Sequence, residues 1–332
     1  MNNTNNIGIW IRRFLMEYLI GERNLSQNTQ ASYRDTFVLL LPFTAKRRKK
    51  PVEKLSIDDF NYGIVRLFLQ YLEEDRNCSI TTRNQRLAAI RAFVHFIGER
   101  SPEHIAWSNE IRSVPFKKSF ESAITYLEKP EMDALLNAPN CKTPQGKRDY
   151  ALLLFMYNTG ARANEIANVT IADLNFDGVP SVKIFGKGNK IRYCPLWALV
   201  VKNLHYFVDR RTPNESVFLN RCKQPITRFG IRTLVKRCVS KASQKVPSLK
   251  NKQVSPHTIR HTAAAHLLRA GVDINTIRAW LGHVSLDTTN IYAEFDLEMK
   301  AKALEHCEIM GLSQKTKSWQ NNKQIMNFLK SL

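Results

Sequence analysis

Only one stretch of this 332-residue chain reads as paired β-strands, and nearly everything around it repeats at helical spacing. The β-rich runs 182–185 and 191–194 flank Gly186-Lys187-Gly188-Asn189-Lys190, so they read as a hairpin with a basic tip. Ahead of it, apolar residues recur three and four apart. Ile7, Ile11, Phe14, Leu15, Tyr18 and Leu19 form one stripe over 7–20. Ser26 or Asn28 caps a second helix over 29–43. Asp58 or Asp59 opens a third, with Phe60, Ile64, Leu67, Phe68, Tyr71 and Leu72 on one face. Thr81 or Thr82 begins a fourth, with Leu87, Ile90, Phe93, Val94 and Ile97 inside, Gly98 at its end, and Arg83, Arg86 and Arg91 on its polar face.

Pro102, Pro115 and the pair Lys117–Lys118 break the periodicity over 101–123, which reads as a connection between domains. Helical signal resumes over 130–136 and 147–158 and turns at Thr159-Gly160. After the hairpin it continues over 196–210 and 228–243, while the Lys/Ser/Pro-rich stretch 241–256 reads as a loop. Ser255-Pro256-His257 is a strong helix start, a capping Ser with Pro in the first turn, and that helix stops at Gly271. Asp273 caps the next, which ends at Gly282, and Ser285 caps another through 288–292. Residues 320–332 place Ile325, Met326, Phe328, Leu329 and Leu332 on one side of a last helix. The expected fold is mainly α with a small β-hairpin or sheet. An all-helical first domain occupies 1–110, a linker 111–123, an α+β second domain 124–300, and a tail 301–332. Two domains also suit the length, at roughly 150 residues each.

Charge narrows the function. The chain holds 50 Lys and Arg against 29 Asp and Glu, a net of +21. Residues 183–260 hold 18 of these cations against only Asp209 and Glu215, so +16 falls within 78 residues. A one-sign stretch inside a folded domain repels itself unless an anion answers it. A phosphate backbone is the commonest such anion, with counterion release driving the binding. Anionic lipid is the weaker reading, because no strongly amphipathic basic helix accompanies the charge. A second basic run, Lys46-Arg47-Arg48-Lys49-Lys50, reads as an exposed loop between helices or as a phosphate contact.

Other classes recede. An apolar content of 43%, with only 13 Gly and 13 Pro, does not suit a disordered or collagen-like chain. The longest apolar run, 150–157, is far short of the ~20 residues of a bilayer span, and no signal-peptide core follows Arg12–Arg13. Cys78, Cys141, Cys194, Cys222, Cys238 and Cys307 are scattered without a C-x-x-C pair. Free thiols in a reducing cytoplasm are therefore expected, rather than zinc or disulfides. There is no P-loop, no G-x-G-x-x-G and no H-E-x-x-H. His257 and His261 have a spacing that could bind a metal, but no further ligand is evident and Arg260 between them opposes a cation.

What remains is a set of cations with polar company: Arg162 with Glu165, Lys187 in the hairpin turn, His257 and Arg260, His283 after Leu281-Gly282, and Tyr292. Each alone has a structural reading, as an ion pair, a solvated lysine, a cap or a packed ring. In order and together they resemble the tyrosine recombinase family of phage integrases, Xer-type recombinases and related transposon enzymes. The resemblance is carried by Thr159-Gly160-Ala161-Arg162-Ala163-Asn164-Glu165, by Lys187 in its Gly-rich turn, and by His257-Thr258-Ile259-Arg260. It continues in Leu281-Gly282-His283 and in Thr288-Thr289-Asn290-Ile291-Tyr292. It is strong over about 125–300 and weaker over the four helices before, which are similar to the family's core-binding domain.

The resemblance implies a site-specific DNA recombinase needing no cofactor or metal. Arg162, Lys187, His257, Arg260 and His283 would act on a phosphodiester, Tyr292 would be the nucleophile giving a 3′-phosphotyrosine, and Glu165 would hold a cation in place. Its partners would be duplex DNA with short inverted-repeat sites and further copies, a homo-tetramer on two duplexes, alone or with a second recombinase. The two domains would close on DNA as a clamp, with Arg83, Arg86, Arg91 and Lys190 as DNA contacts and the helix 320–332 docking on a neighbouring protomer or on its own domain. A bacterial, cytoplasmic, nucleoid-associated enzyme for integration, excision or transposition of a mobile element is the first expectation. Xer-like dimer resolution, DNA inversion, a type IB topoisomerase-like relaxing enzyme and a non-catalytic architectural protein remain alternatives.

Overall fold

The computed structural model describes residues 5–118, 125–186, 188 and 190–282. The chain divides into two compact units, Met1–Ser122 and Ala123–Leu332. It is mostly helical, with one small antiparallel sheet.

The first unit begins with α1 (Ile7–Arg12), which widens into a π-helical stretch over Arg13–Glu22. Ser26 caps α2 (Gln27–Arg48), accepting from the Thr29 amide. Of the basic run 46–50, read as an exposed loop or a phosphate contact, the first three residues are helical and the last two leave the helix. Lys46, Arg47 and Arg48 form the last turn of α2, where cations oppose the negative end of the helix dipole. Lys49 turns the chain at φ 52°, and Lys50 pairs with Asp59 at 2.7 Å. Asp58 and Asp59 do not open the third helix. They lie in a 3-10 turn, Ile57–Asp59, and Asn61 caps α3 (Tyr62–Glu74) by accepting from the Ile64 amide at 3.0 Å. Ser79 caps α4 (Ile80–Arg100).

Two further readings change here. α4 runs two residues past Gly98, and part of the expected connection is α5 (Ile105–Arg112). A β-carbon on Gly98 would stand 2.9 Å from the Ser108 β-carbon, so the glycine serves close approach of α5 rather than helix termination. The Ser108 hydroxyl bonds the Val94 carbonyl at 2.8 Å across the same contact. Ile111 and Val114 are buried in the core of this unit, where Phe14 stands with its ring 5.3 Å from Phe93 and 5.4 Å from Phe96.

The second unit opens with α6 (Lys129–Leu136) and α7 (Pro144–Thr159), the latter buried along most of its length. A short α8 (Ala163–Ala167) leads to the sheet. Its order is β1 (Leu174–Asn175), β2 (Ser181–Phe185), β3 (Ile191–Pro195), all antiparallel, with Ile184 opposite Arg192. The hairpin thus stands as expected, and β1, two residues long, gave no periodic signal. α9 (Ala198–Val208), α10 (Arg228–Ala242), α11 (Pro256–Arg269) and α12 (Ile274–Leu281) follow among the described residues. Within the stretch read as loop before α11 lies a 3-10 turn, Pro247–Asn251. Lys252 after it pairs with buried Glu131 at 2.6 Å. The expected helices at 288–292 and 320–332 lie outside the described residues.

Gly98→Val is expected to destabilise the protein by about 2 kcal/mol, overpacking outweighing the gain in helix propensity. Denaturant melts measure it, and equal or greater stability of the variant would contradict the close-approach account.

Candidate active site

Three helix ends and one strand build the site. α7 ends at Gly160, whose φ of +58° is left-handed, and a β-carbon there would come within 2.5 Å of Leu281. Glycine therefore satisfies both the conformation and the contact. α12 also ends on a left-handed glycine, Gly282. Arg260, on α11, points between these two ends. One terminal nitrogen donates to the Gly160 carbonyl at 2.7 Å and the other to the Leu281 carbonyl at 2.8 Å. Both carbonyls belong to helix C-termini, where partial negative charge gathers. Arg260 is only 3% exposed, and these two carbonyl dipoles fix its guanidinium between the helix ends.

Arg162 stands just before α8. Glu165, in the first turn of that helix, accepts from the Arg162 backbone amide and from its guanidinium, each at 2.9 Å. A second guanidinium, Arg192 from β3, donates to the same carboxylate at 2.6 Å. Burial by itself pushes the Glu165 pKa up. The hydrogen bond and charge of Arg192, then the two bonds from Arg162, outweigh it, and the carboxyl lies below its ordinary range. It remains ionised at neutral pH with both neighbouring cations charged. Arg162 keeps about a third of its side chain open to solvent, whereas Arg192 and Glu165 are buried.

His257, in the first turn of α11, is exposed yet feels both arginines. Desolvation, then the charges of Arg260 and Arg162, lower its pKa, with Glu165 opposing. It is neutral at neutral pH and able to accept a proton. One turn on, His261 is pushed down to about 4 by burial, His257 and Arg260. Among the described residues, no group of three His, Cys, Asp or Glu side chains is placed to hold a metal ion.

Of the residues expected to be catalytic, Arg162, His257 and Arg260 are brought together, and Glu165 holds Arg162 as expected. Lys187, His283 and Tyr292 lie outside the described residues, though Gly186 and Gly282, which precede the first two, are placed. Lys190 is exposed at the start of the returning arm of the hairpin. In the first unit the polar-face reading is corrected. Arg83 is buried, bonding the Pro115 carbonyl at 3.0 Å and lying 3.4 Å from Glu73. Arg86 bonds the Ser32 carbonyl at 2.9 Å, and Arg91 stacks over Phe116. Their cationic groups brace α4 against α2 and the chain that follows α5. Arg192 was missed. Its signal was an arginine alternating with Cys194 on one face of the hairpin, opposite Ile191 and Tyr193.

The phage integrase family model matches residues 125–298, and the phage integrase N-terminal SAM-like domain matches residues 11–100. The chain is 34% identical to a putative integrase/recombinase y4rC of Sinorhizobium fredii, over 97% of each chain. It is 33% identical to the tyrosine recombinase XerC of Oceanobacillus iheyensis, over 87% of this chain and 92% of the relative. In fold it is similar to the XerH site-specific recombinase bound to its difH substrate. The TM-score is 0.68 and the identity 22%, covering 92% of this chain and 96% of that one.

Two histidines of the site have lowered pKa values in the folded state, so protons bind the unfolded chain more readily. Their stabilising contribution is complete above pH ~6.5 and is lost as pH falls toward about 4. Unfolding free energy should therefore drop across that window, and less steeply in His261→Gln. An unchanged slope in the variant would contradict the placement of His261.

Proposed function

Since the chain belongs to the phage integrase family of tyrosine site-specific recombinases, we propose that it cuts and rejoins duplex DNA through a phosphotyrosine on Tyr292. The observation that carries this reading is the meeting of Arg162, Arg260 and neutral His257 at the ends of α7, α11 and α12. A phosphodiester is anionic, and its cleavage gathers further negative charge on the non-bridging oxygens. Arg162, with about a third of its side chain open, and Arg260, held by carbonyl dipoles, supply permanent positive charge there.

In the proposed first step the Tyr292 phenol attacks phosphorus and the bond from phosphorus to the 5′ oxygen breaks. His257 takes the phenolic proton, and Lys187 gives a proton to the departing 5′ oxygen. His283 donates to the phosphate. The 3′ end is left as a phosphotyrosine, and attack by a 5′ hydroxyl of another strand reverses the step. The energy of the broken bond stays in the ester, so rejoining needs neither ATP nor ligase. The clustered cations occupy the role that a metal has in many nucleases, so the reaction proceeds in EDTA.

Strand exchange involves four strands, and four copies on two duplexes with short inverted repeats suit it. Integration, excision or transposition of a mobile element in the cytoplasm is the role we favour. Resolution of plasmid or chromosome dimers is the second reading, favoured by the likeness to a Xer-type enzyme. Among the described residues no helix is long and apolar enough to cross a membrane. Of the DNA contacts expected in the first unit, Arg86 and Arg91, each half-buried, stay in the proposal, and buried Arg83 leaves it.

The test is a covalent trap. The protein and its Tyr292→Phe variant are expressed in a bacterial host carrying the source DNA, denatured, and the DNA ends still attached to protein are sequenced. Adducts with the wild type alone, mapping to a short inverted repeat, are expected, and purified protein should form them on that DNA equally with and without EDTA. Arg162→Ala should lower their yield on the order of 100-fold. Equal adducts from Tyr292→Phe would overturn the assignment, and none from a wild type that still binds DNA would favour the architectural alternative.

A further inference from the structure

Arg192 is a buried cation on the inward face of β3, where Val182 and Ile184 of the neighbouring strand are apolar. The alternation of β3, unlike that of β2, runs against hydrophobicity. Ile191 and Tyr193 are half or more exposed, while Arg192 and Cys194 point inside. Burying a guanidinium carries a desolvation penalty, whereas an aliphatic residue in the same space would gain from burial. One terminal nitrogen bonds Glu165 at 2.6 Å, and the Nε atom, also buried, has no hydrogen-bond partner among the described residues. Packing alone does not account for an arginine in this slot.

Its neighbours do. A β-carbon built on Gly186 would lie 3.5 Å from an Arg192 terminal nitrogen, and 3.6 Å from a Glu165 oxygen. A β-carbon on Gly282 would lie 3.2 Å from the Arg192 side-chain stem and 3.3 Å from the same terminal nitrogen. The Arg192 head therefore occupies the space beside Gly186, immediately before Lys187, and beside Gly282, immediately before His283, and bonds the carboxylate that holds Arg162. A planar, rigid group can touch two turns and a carboxylate at once. A lysine ammonium could keep the charge contact but not the flat contacts. The charge matters as well. Glu165 divides its two oxygens between two guanidiniums, so Arg162 is not neutralised one for one and retains field for a phosphate.

We propose that Arg192 is a positioning residue for the reaction, fixing Arg162 through Glu165 and setting the distance between the turns that lead into Lys187 and His283. The inference rests on the recombinase reading above. Arg192 touches no reacting atom. It acts by keeping three separated segments, α8, the hairpin turn and the end of α12, in register.

The test measures single-turnover cleavage of a nicked duplex built from the DNA ends recovered with the wild-type protein, together with DNA affinity and melting temperature. The variants are Arg192→Met, Arg192→Lys and the double variant Glu165→Gln/Arg192→Met. The double variant removes both members of the buried pair, which is often neutral for stability and guards against a single variant that fails to fold. Wild-type cleavage tests the recombinase reading; only the ratio of variant to wild type bears on Arg192. Cleavage is expected to fall by about 100-fold in Arg192→Met and in the double variant, the scale of a small misplacement of catalytic groups. DNA affinity should stay within about threefold, since uniform binding is unaffected. Arg192→Lys should recover about tenfold of the loss, the share carried by charge without the planar contacts. Cleavage near the wild-type rate in Arg192→Met would overturn the proposal. So would a loss of cleavage that tracks melting temperature and DNA affinity together in all three variants, which would make Arg192 structural only.

Discussion

Glu165 is a buried anion between two arginines of a basic chain, and the geometry of the site depends on how its charge is shared. Burial alone would drive such a carboxyl toward its neutral form. Two guanidiniums and a backbone amide reverse that, and all three come from the segments that must be aligned: α8 itself through Arg162, and β3 through Arg192. A neutral residue at this position would leave two arginines close together with nothing between them. A carboxylate with a single partner would neutralise Arg162 more fully. The three-member arrangement keeps Arg162 charged, fixed and partly open.

Arg260 meets the same need by a different physical route. It is more deeply buried than Arg162, and the described partners of its terminal nitrogens are carbonyls at the ends of α7 and α12. Helix C-termini stabilise a cation without cancelling its charge. Because those ends are capped by left-handed glycines, Gly160 and Gly282, the helices stop where their carbonyls can turn toward the arginine. His257, one turn before Arg260, has its pKa lowered by desolvation first and then by the charges of Arg260 and Arg162. The fold thus favours the neutral form of the candidate base through burial and the placement of its cations.

Much of this was legible in the sequence. Ser255-Pro256 and Asp273 mark the starts of α11 and α12, and Gly160 and Gly282 mark the ends of α7 and α12, because caps are local chemistry. The hairpin was legible from its β-rich arms, and Arg162, His257 and Arg260 from their neighbours in the chain. What was hidden depends on contacts between distant segments. Gly98 carries the same local signal as a helix end, and only α5 lying against it shows that its role is close approach. Arg83 sits at a position that looks solvent-facing until the chain after α5 returns over it. Arg192 lies on a strand whose inward face is chosen by the packing of the unit, and local hydrophobicity points the wrong way.

The central claim is that this cation cluster directs a covalent attack by one particular side chain. Nuclease and trypsin digestion of the trapped DNA adduct, followed by fragmentation mass spectrometry, tests it directly. The peptide 279–300 contains a single tyrosine, alongside Ser285, Thr288 and Thr289 as other hydroxyl candidates. A residual nucleotide mapped to Tyr292 is the predicted result. A nucleotide on one of those hydroxyls, or on a peptide elsewhere in the chain, would contradict it.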